Sequence, residues 1–205
     1  MSWWVGVVVV VAGVCLASAS AQSVDVSDNV RKGGIDSRQR DQAGSRIRRS
    51  RAVGLFRAPA QTVTDVVLDY AGYHRFMPHF VASRVLSKRG SQARVYIEVS
   101  ALQGLARLWA EMQIGMDSPS ETTRVISARM LKGNLKGFEA EWQVTPLDAA
   151  TTLVAFELCA DPDFAIPFGN GIVSDYNEKE ARMSVLALRD FMAKRGRTGA
   201  VRASL

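Results

Sequence analysis

Two histidines, His74 and His79, stand five residues apart around Pro78. A protein zinc site needs several His or Cys side chains converging on one ion, and no cysteine or third histidine is near this pair. Structural or surface roles are therefore expected for both. Asp65 and Asp69 are four apart and would share one helix face as like charges, with Asp69 also placed to accept a backbone N–H in the next turn. Asp161 and Asp163 flank Pro162, which suits a turn leading into a helix; calcium would need further oxygen ligands. Cys159 ends a strand-like run over residues 153–159, which predicts a structural position rather than a reactive thiol. There is no G-x-S-x-G elbow, phosphate-binding glycine loop or zinc signature. No catalytic constellation, metal site or cofactor is expected.

What the sequence does offer is a surplus of bulky, deformable apolar side chains. Met77, Leu108, Met112, Trp142, Phe156, Leu158, Tyr176 and Met183 are expected on the face that the last helix covers, all but Met77 from the periodicities below. They either fill a core or line an unfilled cavity, and methionine serves both purposes. In a cavity they would bind by burial alone, at about 0.8 kcal/mol per buried methylene, so such a site needs no polar motif. An enzyme would need inward acid–base groups, and only Arg124 or Arg129 and Tyr176 are candidates.

The elements that would position these residues follow from periodicity. Residues 52–57 alternate loosely as a strand, and Pro59 then opens a helix carrying Val63, Val66, Val67 and Tyr70. A short aromatic-rich segment stops at Pro78. From residue 80 the period becomes two, in runs at 80–86, 93–99, 105–116, 122–131, 138–145 and 151–160 separated by short Gly-, Asn-, Asp- and Pro-containing breaks. This predicts an antiparallel meander. One face carries Val95, Ile97, Met112, Ile114, Trp142, Val144, Phe156 and Leu158, and the other is mostly polar. Residues 170–194 are free of proline and predict a long helix, with Ile172, Tyr176, Met183, Leu186, Ala187 and Met192 as its apolar stripe.

The ends differ from the middle. The chain has 205 residues and a net charge of +6, yet residues 52–193 carry 14 basic against 16 acidic side chains. The positive excess lies in residues 22–51 and 194–205, which argues against a globular nucleic-acid-binding face. Residues 3–17 are uncharged and apolar, and Ala19-Ser20-Ala21 follows, which predicts a signal peptide over 1–21 and a periplasmic or secreted protein. Residues 22–50, rich in Ser, Gly, Asp and Arg, predict a flexible polar and basic linker. Arg46, Arg48, Arg49 and Arg51 either attract an anionic membrane weakly or form the polar side of the first strand. The expected organisation is thus signal peptide, linker, one folded domain over 51–194 and a basic tail over 195–205, acting as a monomer.

The segment LFRAPAQTVTDVVLDYAGYHRFMPHFVASRVL, residues 55–86, resembles the opening signature of the START-like SRPBCC superfamily, most of all its polyketide cyclase/dehydrase and coenzyme Q-binding START-domain proteins. FEAEWQVTPL at 138–147 and Asp161-Pro162-Asp163-Phe164 are similar to the penultimate strand and the final turn of that group. The resemblance implies an α+β helix-grip fold, a curved antiparallel sheet of about seven strands wrapped around a long C-terminal helix, with two short helices after the first strand. It also implies a hydrophobic small-molecule ligand, such as a quinone, lipid or polyketide-like compound, held between sheet and helix. Related branches are cyclase or dehydratase enzymes and ribosome-associated protein-interaction modules, and the export signal argues against the last.

Overall fold

A computed structural model describes residues 26–101, 104, 106–120, 122–163 and 170–203. The expected signal peptide, and Phe164 of the final turn, lie outside the described residues. The elements in chain order are α1 (Asp28–Arg31), β1 (Ile35–Arg40), β2 (Arg49–Phe56), α2 (Ala60–Val67), a short 3-10 helix (Tyr70–Arg75), β3 (Phe80–Arg89), β4 (Gln92–Ala101), β5 (Ala106–Asp117), β6 (Arg124–Gly133), β7 (Leu135–Pro146), β8 (Thr152–Pro162) and α3 (Asn170–Ala203). The strands form one antiparallel sheet in the order β1-β2-β8-β7-β6-β5-β4-β3, so the meander closes back on β2. This is the expected α+β helix-grip fold, with eight strands among the described residues rather than about seven.

Each local element has a visible cause. Pro59, held at φ −58°, sits at the N-cap of α2, where its missing N–H costs nothing. Tyr73 anchors the 3-10 segment by donating its hydroxyl to the Val67 carbonyl at 2.7 Å. The alternation in β4, β5 and β7 buries Val95, Met112, Ile114, Trp142 and Val144 in one core, to which α3 contributes Ala181, Val185 and Leu188. Side chains of this size each stabilise the fold by roughly 1.5–3 kcal/mol when fully buried. Gly54 sets how near the helix lies, because a β-carbon there would stand 3.0 Å from Val185 Cγ1 and 2.9 Å from Ile35 Cδ1.

The segment expected as a flexible linker is folded from residue 26 onward. β1 pairs with β2, and Ile35 is 2% exposed within the main core. Ser37 and Gln39, on the same side of β1, donate to Glu178 of α3 at 2.7 and 2.8 Å. Val26 and Val30 pack on Leu153, with Val53 and Leu55 alongside. Composition concealed this because the inward residues of β1 are mostly polar and find their partners on the helix rather than in an apolar core. The expected basic tail is likewise helical, since α3 continues to Ala203.

The same segment explains why β8 departs from a two-faced strand, for its outer residues Leu153, Ala155 and Glu157 are buried as well as its inner ones. Glu157 has a side chain only 8% exposed and is held by Arg40 at 2.9 Å and Arg51 at 2.8 Å, with Arg49 at 3.9 Å. Arg49 also pairs with Glu139. Of the two readings of the basic run, the strand side is the one seen for Arg49 and Arg51. Removing one member of a buried charge cluster leaves the others unopposed. Glu157→Gln is therefore expected to lower unfolding stability by roughly 2 kcal/mol, discounted because the arginines are partly solvated. A shift of the urea midpoint without a change in slope would show it.

Candidate functional site

Between the concave face of the sheet and α3 lies a cavity with about 130 Å³ of open space. Its floor is Trp142 on β7 and Phe156 on β8, paired across the strands with ring centroids 4.2 Å apart. Met77, Leu108, Met112, Ile126 and Leu158 continue the apolar lining, and Tyr73 with Phe80 closes one wall in an edge-to-face contact at 5.9 Å. Ala110, Ala128, Ala140 and Ala160 leave the room, since larger residues at these inward positions would occupy it.

Of the eight residues expected on this surface, seven line the cavity: Met77, Leu108, Met112, Trp142, Phe156, Leu158 and Tyr176. Met183 does not; it is half-buried and outside the lining. The predicted stripe of α3 was rotated. Ile172 is 45% exposed, whereas Val173, Asn177, Ala181, Ser184, Val185 and Leu188 are buried. Small side chains at 181 and 184 permit the close approach to the sheet, and a search for large apolar residues passes over them.

Sequence reasoning also missed the polar groups of the cavity. Asn177, Glu180 and Ser184 face it from α3, and His79 and Ser100 from the rim of the sheet. The signal was the i, i+4, i+8 spacing of Tyr176, Glu180 and Ser184, which reads as an ordinary solvated helix face. Asn177 is engaged, donating to the Ala160 carbonyl at 3.1 Å. Glu180 Oε1 stands 3.5 Å from His79 Nε2, and its carboxyl is hydrogen-bonded to Tyr176. His79 is held at a positive φ of 61°, and its carbonyl accepts from the Ser100 N–H at 2.8 Å. Burial raises the Glu180 carboxyl above its ordinary range, against the attraction of His79, the Tyr176 hydrogen bond and Lys179. The Tyr176 phenol is pushed up to about 12 by burial and then by Glu180.

A carboxyl whose folded pKa is raised favours the native state fully at low pH and loses that contribution as pH rises through the folded pKa. Glu180→Gln keeps the shape without the charge. It is expected to match the parent stability near pH 4 and to exceed it at pH 8, which paired thermal melts at the two pH values would show.

The other chemistry-bearing residues lie elsewhere. His74 is exposed, Asp65 accepts from Gln61 at 2.7 Å, and Asp69 pairs with Arg75 at 2.6 Å. Arg129 lies beside Glu139, off the cavity, and Arg124 does not line it either. Cys159 is buried with Ile47 and Val173, and burial pushes its thiol up, away from reactivity. No group of three or more His, Cys, Asp or Glu suited to a metal occurs among the described residues.

This architecture recurs in solved structures. A STAR-related lipid transfer protein from Xanthomonas axonopodis is 20% identical, with a TM-score of 0.69 over 78% of this chain and 94% of its own. The Zhui aromatase/cyclase from Streptomyces sp. R1128 is 17% identical, with a TM-score of 0.61 over 72% of this chain and 94% of its own. Human StAR-related lipid transfer protein 5 is 12% identical, with a TM-score of 0.67 over 77% and 81%. No curated protein sequence matches significantly. Residues 56–189, from the end of β2 to the middle of α3, match one family throughout, so the chain belongs to the family described as polyketide cyclase / dehydrase and lipid transport.

Proposed function

We propose that the protein binds, and carries, one lipophilic small molecule such as a quinone or lipid in the cavity between sheet and α3, as an exported periplasmic or secreted protein. The observation that supports this is the lining, in which Trp142, Phe156, Met112, Leu158 and the inward alanines surround open space inside a folded core. About 130 Å³ is small beside the roughly 300–1,000 Å³ of pockets that hold drug-sized ligands. Met77, Leu108 and Met112 supply the give, since flexible side chains can change rotamer to widen the space. The family description and the two structural neighbours named as lipid transfer proteins fit the same reading. Mass spectrometry of an organic extract of the purified protein, together with titration of fluorescent acyl and quinone probes, tests it. Saturable binding of about one probe per chain is expected, and no co-purified ligand with no binding would refute it.

A second reading, a cyclase or dehydratase acting in the same cavity, is favoured by one observation: Glu180, Tyr176 and His79 put acid–base groups at its edge. Turnover of a poly-carbonyl substrate that Glu180→Gln abolishes while probe binding persists would select it.

A further inference from the structure

The apolar cavity has one polar end, assembled from elements distant in sequence. Glu180 comes from the first half of α3 and His79 from the turn that leads into β3. The Glu180 side chain is 14% exposed, and Oε1 is fully buried with no hydrogen-bond partner among the described residues. His79, at 45% exposed, marks the side from which solvent reaches this end. A buried carboxyl with spare acceptor capacity is costly unless something donates to it. The fold itself has little use for it there, because α3 meets the sheet through Ala181, Val185 and Leu188.

We propose that Glu180, positioned by Tyr176 and His79, is the head-group subsite of the cavity, and that it selects a lipophilic ligand with a neutral oxygen head, a hydroxyl or a carbonyl, over one with a carboxylate or phosphate. The inference rests on the cavity-binding reading above. An ionised Glu180 accepts from a ligand hydroxyl, and a protonated one donates to a ligand carbonyl. An anionic head in the same place sets two negative charges together where water screens poorly, with Lys179 as a cation acting on the site and His79 beside it. The hydrocarbon body then runs inward toward Trp142 and Phe156.

The test is displacement of a fluorescent apolar probe from the full chain at pH 8 by 1-dodecanol, 2-dodecanone and dodecanoate. The better of the neutral compounds is expected to bind at least about tenfold tighter than dodecanoate, as a like-charge mismatch at an interface requires. Glu180→Gln is expected to shrink that ratio to about threefold or less, mainly by improving dodecanoate, a gain that a merely structural role would not produce. Tyr176→Phe, which frees the carboxyl without removing it, should give an intermediate ratio. Preference for the alcohol identifies the ionised carboxylate as the recognising form, and preference for the ketone the protonated one; either supports the subsite. A ratio near one in the parent chain, or one that Glu180→Gln leaves unchanged, overturns the subsite and leaves the cavity reading standing. If the probe itself does not bind, the cavity reading falls and the subsite with it; if it binds and none of the three displaces it, the subsite falls alone.

Discussion

Ala128→Phe is expected to weaken binding of apolar probes by about tenfold or more while lowering stability by less than about 1 kcal/mol. Ala128 on β6 stands opposite Ala140 on β7 and Ile114 on β5, and all three line the cavity. It shares its face with Ile126, which is 1% exposed, and with Trp142, so a larger side chain at 128 points into the open space rather than into solvent. Were that space already filled, a phenylalanine would overpack the core and cost about 1–3 kcal/mol. Where the space is empty, the ring gains contacts and removes the room a ligand needs. Probe titration and a denaturant melt on the same variant separate the cases. Lost binding with an intact fold supports the cavity as the binding site. A large loss of stability means the space is not available, and unchanged binding means the probe binds elsewhere.

How far the sequence showed this site depends on what made each residue detectable. Trp142, Phe156, Leu158 and Met112 were legible because they sit at period two in strands bounded by clear turn residues, and a register slip of one would expose the whole set. The fold was legible for the same reason, together with the APA opening of α2 and the proline after Met77. Met183 was misplaced because the buried stripe of α3 carries the small residues Ala181 and Ser184 beside Val185 and Leu188, and a pattern drawn through large apolar residues alone runs off it. Glu180 was not legible at all. A charged residue on a helix reads as solvated, and only the tertiary fold brings it against His79, roughly 100 residues earlier in the chain. β1 failed for a related reason: Ser37 and Gln39 point inward, and their partners on α3 are acidic rather than apolar.

That last point carries the largest expected effect on stability. A chain beginning at Gln42 is expected to be less stable than one beginning at Gln22 by roughly 2–4 kcal/mol, a fall in melting temperature of roughly 5–15 °C. The shorter chain loses Ile35 and Val30, each 2% exposed, and uncovers Leu153, Val53 and Leu55 on the outer face. It loses Arg40 from the Glu157 cluster and leaves Glu178 without Ser37 and Gln39. The carbonyls of Gly33 and Ile35, which accept from Arg189 and Arg182 of α3, go as well. Burial of this apolar surface is partly offset by the entropy of ordering about 15 residues, which keeps the expected loss well below the gross sum of the contacts. β2 would also become an edge strand with an unpaired backbone, a site for strand-to-strand aggregation. A tether has none of these partners, and its removal changes stability by no more than about 0.5 kcal/mol. Paired melts of the two chains decide between them: equal stability would return residues 26–41 to the role of a linker, and a cooperative loss would make them part of the domain that holds the cavity closed from behind.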